Sequence, residues 1–241
     1  MTNIFRMLIW PAALLAAAGL AQHREEPQPR VVDPGGPGKA PSDAVVLFDG
    51  SGLSQWVTRD GGPARCTVDG GVMTCKTGAG DIFSKPTFRD AQIHLEFAPP
   101  YMPDQQGQAR GNSGVYLQGR YEIQVLDSYS NPTYANGSCA AVYGEAAPLV
   151  NASRPPGQWQ TYDIIFHGAR CAADGSLLRK PRVTLLHNGV LVQDNFEIQH
   201  LGRGCAGGAG DPGPLMLQDH NYKGAPMTFM KFRNIWFRPL E

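Results

Sequence analysis

Hydrophobic and polar residues alternate with a period of two along most of the chain beyond residue 44. Ile93, Leu95 and Phe97 are separated by polar residues, and segments 161–166 and 228–240 show similar alternation. Such alternation places apolar side chains on one face of a β-strand. Glycine (29) and proline (20) are frequent, as in a chain with many turns. The sequence therefore predicts an all-β protein, built as a sandwich or a barrel.

The segment 182–195 predicts a β-hairpin around Asn188-Gly189. This dipeptide is typical of a two-residue type I′ turn, in which both residues have positive φ. The resulting register pairs His187 with Val190, Leu185 with Val192 and Val183 with Asp194. It leaves Thr184 and Gln193 together on the other face.

A second hairpin is predicted in GNSGVYLQGRYEIQVLDSY, residues 111–129. A three-residue loop at 118–120 pairs Leu117 with Tyr121 and Val115 with Ile123, which gives one apolar face. A two-residue loop would mix the two faces. The preferred register leaves the opposite face to the polar residues Asn112, Tyr116, Glu122 and Gln124. Glu122 is thus predicted to lie on a strand among polar neighbours, where a reacting group can be held rigidly.

Composition limits the partners of the domain. The 241 residues include 21 basic and 21 acidic side chains, so no net field attracts nucleic acid or an anionic membrane. A neutral or locally polar partner is what this balance favours. The oligomeric state is left open.

The N-terminus predicts export. Arg6, a nearly continuous apolar run over 7–20 and small residues up to Ala21 are typical of a cleaved signal peptide over 1–21. Residues 22–43 are rich in Pro, Gly and charge and predict a disordered tether. The folded domain is expected over 44–241, in the periplasm or outside the cell.

The five cysteines fit an oxidising compartment. Cys66 and Cys75 flank a hairpin-like segment and predict a disulfide. Cys139, Cys171 and Cys205 leave one odd thiol, with the pairing open. The long irregular segments 130–158 and 200–214 are expected to form rims or lids of a site.

Several ordered motifs carry a resemblance to a known family. The hairpin above is followed by PPGQWQTYDIIF, HNGVLVQDN, GPLMLQDH and FRNIWFRPL, and preceded by VLFDG at residues 46–50. In this order the motifs resemble the 3-keto-disaccharide hydrolase domain family, over nearly the whole mature chain. The resemblance implies a concanavalin-A-like jelly-roll sandwich of two antiparallel sheets with a sugar site. It also implies action on glycosides that are already oxidised to a ketone at C3.

Such a ketone acidifies the proton at C2, so a base can start a β-elimination of the group at C1. The reaction needs a base, an acid for the leaving oxygen, and a donor or metal ion at the enolate oxygen. Glu122 is the predicted base, His220 the predicted acid or enolate donor, and Asp127 a further catalytic candidate. The predicted sugar-binding residues are Asn112, Tyr116, Arg120, Gln124 and Asp219. A divalent metal ion could serve at the enolate, but no metal ligands are assigned.

Simpler roles compete with several of these. Asp127 ends a strand and could cap a turn, and Asp219 and His220 are neighbours that would point to opposite faces of a strand. His187 on an apolar face is expected to be structural, whereas His94 shares the parity of polar neighbours and is expected to face water. Among the aromatic residues, those in loops are expected to contact sugar: Tyr101, Tyr134 and Tyr143.

Two other function classes stay open. The same fold also serves lectin-like modules that bind sugar without turnover. An ordinary glycosidase would need two carboxylates flanking the bond, and the hairpin lacks a closely spaced acidic repeat.

Overall fold

The strands form two antiparallel sheets that share one hydrophobic core. Along the strands, buried and less buried residues alternate. The computed structural model describes residues 27–36, 39–221, 224 and 226–240. The predicted signal peptide over 1–21 lies outside these residues. In chain order the strands are β1 Val45–Phe48, β2 Trp56–Thr58, β3 Thr67–Asp69, β4 Val72–Lys76, β5 Ile82–Phe88, β6 Asp90–Ala98, β7 Ser113–Leu117, β8 Tyr121–Val125, β9 Gln160–His167, β10 Arg170–Cys171, β11 Leu177–Arg179, β12 Arg182–His187, β13 Val190–Glu197, β14 Gly213–Leu217 and β15 Phe229–Pro239.

The larger sheet, sheet A, has the strand order β13-β12-β9-β6-β15-β4-β3, with β1 also paired to β15. The smaller sheet, sheet B, has the order β2-β5-β14-β7-β8. Strands β10 and β11 form a separate two-stranded ribbon. Across the described residues the strands pair antiparallel, and neighbours in each sheet are often distant in sequence, as in a jelly roll. The predicted all-β sandwich is confirmed.

The core lies between the inner faces of the two sheets. Sheet A contributes Ile93, Leu95 and Phe97, which are fully buried, as their alternation predicted. Tyr162 on β9 crosses the core, and its hydroxyl donates to the backbone oxygen of Gln124 on β8 at 2.6 Å. This bond ties sheet A to the strand that carries Glu122, so the core anchors the backbone of the candidate site.

The hairpin β7–β8 has the predicted register. Leu117 lies opposite Tyr121 and Val115 opposite Ile123. The connecting residues Gln118 and Gly119 have positive φ, 55° and 65°. The apolar set therefore faces the core.

The hairpin β12–β13 keeps the predicted turn and departs from the predicted register. Asn188 and Gly189 have φ of 53° and 79°, and His187 pairs with Val190. Beyond the turn, however, Leu185 lies opposite Gln193, and Val183 lies opposite Phe196. Irregularities in the pairing shift the register, so the predicted pairs of Leu185 with Val192 and Val183 with Asp194 are wrong.

Gln193 consequently does not lie with Thr184 on an outer face. It is buried, and its Nε2 donates to the backbone oxygens of Ala140 and Ala147 at 3.0 and 3.2 Å. The bulged strand thus holds the long segment 130–158 against sheet A. His187 is buried, as expected. His94 is buried as well, so the expectation that it faces water is wrong.

Two disulfides are present, as is typical of proteins in the periplasm or outside the cell. Cys66 bonds to Cys75, as predicted, and Cys171 bonds to Cys205. Cys139 is the free thiol and is buried. The second disulfide joins the ribbon β10–β11 to the segment 200–214.

Part of the predicted tether makes hydrogen bonds within itself. The N–H of Ser42 donates to the backbone oxygen of Asp33 at 2.9 Å, and the N–H of Asp33 donates to Ser42 Oγ at 3.1 Å.

Among the described residues, no helix has the length and apolar character to cross a membrane.

Candidate functional site

A row of five residues crosses the outer face of sheet B, one from each strand. Glu122 lies opposite Tyr116, Tyr116 opposite Met216, Met216 opposite Phe83, and Phe83 opposite Val57. Their sequence neighbours point into the core, because successive side chains on a strand alternate between faces. The row therefore forms a surface with the carboxylate of Glu122 at one end.

Glu122 is the acidic residue of this row. Its Oε2 accepts a hydrogen bond from the Tyr116 hydroxyl at 2.7 Å. Burial raises the pKa of Glu122 to about 6, although the hydrogen bond from Tyr116 acts in the opposite direction. A carboxylate with such a pKa is ionised at neutral pH and still basic enough to accept a proton in a reaction.

Gly114 gives the carboxylate its space. A Cβ atom at this position would lie 2.5 Å from Glu122 Oε1 and 2.9 Å from the Tyr116 ring. Gly114 pairs with Gln124 across the hairpin. A side chain at position 114 would therefore displace Glu122 or Tyr116 from the positions described here.

The amide side chain of Gln218 supports the pair of Glu122 and Tyr116. Gln218, directly after β14, donates from Nε2 to the Tyr116 hydroxyl at 3.1 Å. Burial raises the pKa of Tyr116 well above its usual range, and the nearby carboxylates of Glu122 and Asp81 add to the effect. Tyr116 therefore stays protonated and acts as a hydrogen-bond donor.

Gln124 and Asn112 lie deeper on the same side. Gln124 Nε2 donates to Gln108 Oε1 at 3.0 Å, and Asn112 Nδ2 donates to the backbone oxygen of Gln108 at 2.8 Å. Both side chains are buried, at 1% and 4% exposure. Gln124 and Asn112 thus hold Gln108 by hydrogen bonds. Of these three residues, Gln108 is the one that is partly exposed.

The segment 139–143 extends sheet B beyond β8. The N–H of Tyr143 donates to the backbone oxygen of Glu122 at 3.0 Å, and the N–H of Gln124 donates to the oxygen of Ala141 at 3.0 Å. The hydroxyls of Tyr134 and Tyr143 are 2.6 Å apart, and both side chains are exposed. Burial of its hydroxyl and the bond to Tyr143 raise the pKa of Tyr134 to about 12. The two tyrosines form a rim beside Glu122.

The other loop tyrosine of the sequence analysis, Tyr101, is 73% exposed. Its contact with a sugar stays a prediction from the sequence.

Asp127 is held in a structural setting. Its Oδ2 is 2.7 Å from Arg110 Nε, and its side chain is 1% exposed. Its Oδ1 accepts the N–H of Tyr129 at 3.2 Å, which is the turn-capping contact considered from the sequence. These contacts use the carboxylate within the protein.

Arg120 lies in the turn that connects β7 and β8. Its guanidinium donates to the backbone oxygens of Gln118 and Asp211, at 3.4 and 3.3 Å. The side chain therefore contacts the segment 200–214 and supports that loop.

Asp219 and His220 follow Gln218 at the end of β14. Asp219 Oδ2 accepts the N–H groups of Gly78 and Gly80 at 2.9 and 2.8 Å. His220 lines a narrow pocket together with Asn112 and Gln218. Burial lowers the pKa of His220, while the carboxylate of Asp219 opposes that effect. His220 is therefore adjacent to the amide that holds Tyr116.

Sequence reasoning missed Gln218 and Gln108 as members of this network. Gln218 could have been found, because it has the same parity as Met216 in the run PLMLQ. Gln108 lies in an irregular segment, where periodicity gives no signal. Within the described ranges, no group of three or more His, Cys, Asp or Glu residues could hold a metal ion.

Comparison with known proteins agrees with this fold. The chain matches the model of the 3-keto-α-glucoside-1,2-lyase-like domain over residues 43–238. It is similar to the crystal structure of a candidate glycosyl hydrolase from Parabacteroides distasonis ATCC 8503, with 41% identity and a TM-score of 0.82. That match covers 96% of this chain and 100% of the other.

Two more distant structures from the same organism, also named as candidate glycosyl hydrolases, support the fold alone. One has 19% identity and a TM-score of 0.57, covering 83% of this chain and 94% of the other. The second has 19% identity and a TM-score of 0.55, with coverage of 82% and 99%. No curated protein matches this chain. The matched family model and the 41% identical structure show that this chain belongs to the 3-keto-α-glucoside-1,2-lyase-like domain family, a family of carbohydrate-active proteins.

Proposed function

We propose that this protein cleaves 3-keto glycosides by elimination, with Glu122 as the base. The observation that carries the proposal is the carboxylate of Glu122, which has a pKa of about 6 and lies on the outer face of sheet B against the Tyr116 hydroxyl. The family match supports a 3-keto-α-glucoside as the substrate class. The predicted signal peptide and the two disulfides support export of the protein.

The proposed reaction begins with transfer of the C2 proton of the sugar to Glu122. The electron pair of the C–H bond delocalises onto the C3 ketone as an enolate. When the enolate collapses, a C1–C2 double bond forms, the C1–O bond breaks, and the leaving oxygen takes a proton. Addition of water across the double bond then gives the free 3-keto sugar, so that the sum is one hydrolysis.

Two donors are available for the oxygen atoms that gain charge. Tyr116 stays protonated over the working pH range and touches the base, so it can donate to the enolate oxygen or the leaving oxygen. His220, the acid predicted from the sequence, lies next to Gln218 in the same part of the sheet. We assign Gln108 and the rim tyrosines Tyr134 and Tyr143 to binding of sugar hydroxyls and rings.

Contacts within the protein support a different assignment for three of the residues that the sequence predicted as catalytic or sugar-binding. Asp127, Arg120 and Asp219 each use their polar atoms within the protein, in the contacts described above. We therefore propose that these three residues shape the site and that Glu122, Tyr116 and His220 act on the substrate.

The test is turnover of a chromogenic 3-keto-glucoside beside the unoxidised glucoside. We expect release from the keto substrate alone, and we expect Glu122→Gln to reduce kcat by at least about a hundredfold, the usual contribution of a general base. Glu197→Gln is the matched control, because Glu197 is a half-buried carboxylate on sheet A, away from sheet B. A chelator arm tests for a metal ion.

Each alternative has its own outcome. Full turnover by Glu122→Gln would remove Glu122 as the base. Release from the unoxidised glucoside would point to an ordinary glycosidase. Binding of sugar with no release from the keto substrate would indicate a lectin-like module.

A further inference from the structure

A polar cavity of about 610 Å3 opens at the other end of sheet B from Glu122. Its charged lining residues are Arg59, Asp60, Arg65, Asp81 and Asp219. Arg59 directly follows β2 and Asp81 directly precedes β5, so the cavity lies where these two strands meet the loops. The proposed reaction at Glu122 does not account for this cavity.

The cavity is continuous with the row that crosses sheet B. Phe83 belongs to that row, and the Arg59 guanidinium lies over its ring at 5.0 Å. Asp81 accepts the backbone N–H of Asp219 at 3.0 Å, one residue after the Gln218 that binds Tyr116. The same surface therefore leads from the carboxylate of Glu122 to the cavity.

The charges of the cavity are arranged for a neutral, hydroxylated ligand. Arg59 is 3.0 Å from Asp81, which keeps its guanidinium in place over Phe83. The lining holds two arginines and three carboxylates, so it offers little net attraction to an anion. Backbone N–H groups fix the carboxylates of Asp81 and Asp219 in position. A wall that offers guanidinium donors beside carboxylate acceptors matches the hydroxyls of a sugar ring.

Strand spacing sets the distance between the two ends of this surface. Glu122 on β8 is three strands away from β5 and four from β2. At ~4.8 Å for each spacing, the backbones of β5 and β2 lie roughly 14–19 Å from that of β8 across the sheet. A hexose residue lengthens a glycan by about one such spacing, ~5 Å. A disaccharide that starts at Glu122 therefore spans two strands and ends above Met216 on β14.

We propose that the cavity of Arg59 and Asp81 is a distal subsite for a neutral sugar residue, so that the preferred substrate is a 3-keto oligosaccharide of at least three residues. The inference rests on the proposed function, because the position of the cleaved bond is taken from Glu122. In a trisaccharide, the third residue is the first that reaches the guanidinium of Arg59.

The first experiment compares kcat/KM for C3-oxidised α-linked gluco-oligosaccharides of two and three residues. We expect the trisaccharide to be the better substrate, and Arg59→Ala to lower its kcat/KM about tenfold, as for loss of a charged hydrogen-bond donor. The disaccharide should change less than about twofold under the same substitution. Arg182→Ala is the control, since Arg182 forms a half-buried pair with Glu197 at 2.9 Å on sheet A, away from sheet B.

A second experiment separates failure of the subsite from failure of the chemistry. Binding of the unoxidised di- and trisaccharides is measured by calorimetry with Glu122→Gln, with and without Arg59→Ala. Tighter binding of the trisaccharide that Arg59→Ala abolishes supports the subsite, even if no keto glycoside is turned over. Equal binding and equal kcat/KM for the two lengths, or an equal loss for both in Arg59→Ala, would overturn it.

Discussion

Replacing Glu122 with glutamine should lower kcat by at least about a hundredfold and also stabilise the fold at pH 8. Burial raises the pKa of Glu122 from 4.5 to about 6. The folded protein therefore holds an ionised carboxylate at pH 8 in a setting that disfavours it. Raising the pKa by this amount corresponds to ~2 kcal/mol of free energy of unfolding. For a domain of this size, that is an increase in Tm of roughly 4–8 °C for Glu122→Gln.

The pH dependence follows from the direction of the shift. Below pH 4.5 the carboxyl is protonated in both the folded and the unfolded state, so the two proteins should have similar stability. Between pH 4.5 and about 6 the unfolded state ionises first, and the wild type loses stability relative to Glu122→Gln. Above that window the full difference is expected.

Urea unfolding at pH 4 and pH 8 measures this difference directly. The control is Glu197→Gln, because the hydrogen bond from Arg182 lowers the pKa of Glu197, and removing that carboxylate should bring no gain at pH 8. The reasoning is refuted if Glu122→Gln is no more stable than the wild type at pH 8, or if its advantage is the same at both pH values.

Three further predictions concern the surroundings of Glu122. Tyr116→Phe removes the hydrogen bond that lowers the pKa of Glu122, so the acid limb of the kcat/KM profile should move from about pH 6 toward pH 7; an unmoved limb would contradict the contact. Gly114→Ala places a Cβ 2.5 Å from the Glu122 carboxylate and should lower kcat/KM by about a hundredfold through misplacement of the base. Gly52→Ala, where a Cβ meets nothing within 4 Å, should leave kcat/KM unchanged. Asp127→Asn breaks a buried ion pair and should lower the free energy of unfolding by about 3 kcal/mol, with little effect on kcat; a large loss of kcat in the folded variant would make Asp127 catalytic.

The sequence by itself determined the strands and one of the two hairpin registers. The pattern around Val115, Leu117, Tyr121 and Ile123 permits one register with a single apolar face, and the structure has that register. This works because a slip by one residue would expose the whole apolar set. The same alternation put Glu122 on the outer face.

Local patterns failed where the chain departs from regular pairing. Asn188-Gly189 set the turn of the second hairpin, yet irregular pairing beyond it brought Gln193 into the interior. The alternation of polar and apolar residues in β13 did not reveal the irregular pairing that shifts this register. His94 is a similar case, since Asp163 and Trp236, which are remote in the chain, cover it.

The site itself was decided mostly by tertiary structure. The sequence could propose Glu122, but whether a strand carboxylate is solvated or desolvated depends on neighbours from other strands. Gln218, 96 positions from Glu122, reaches the Tyr116 hydroxyl only after sheet B has assembled. Tyr143, 21 positions from Glu122, then bonds to the backbone of Glu122. Likewise, the pairing of Cys171 with Cys205 and the ion pair of Asp127 became visible only in three dimensions. Period and turn chemistry are local properties, whereas burial, which sets the pKa of Glu122, is a property of the whole fold.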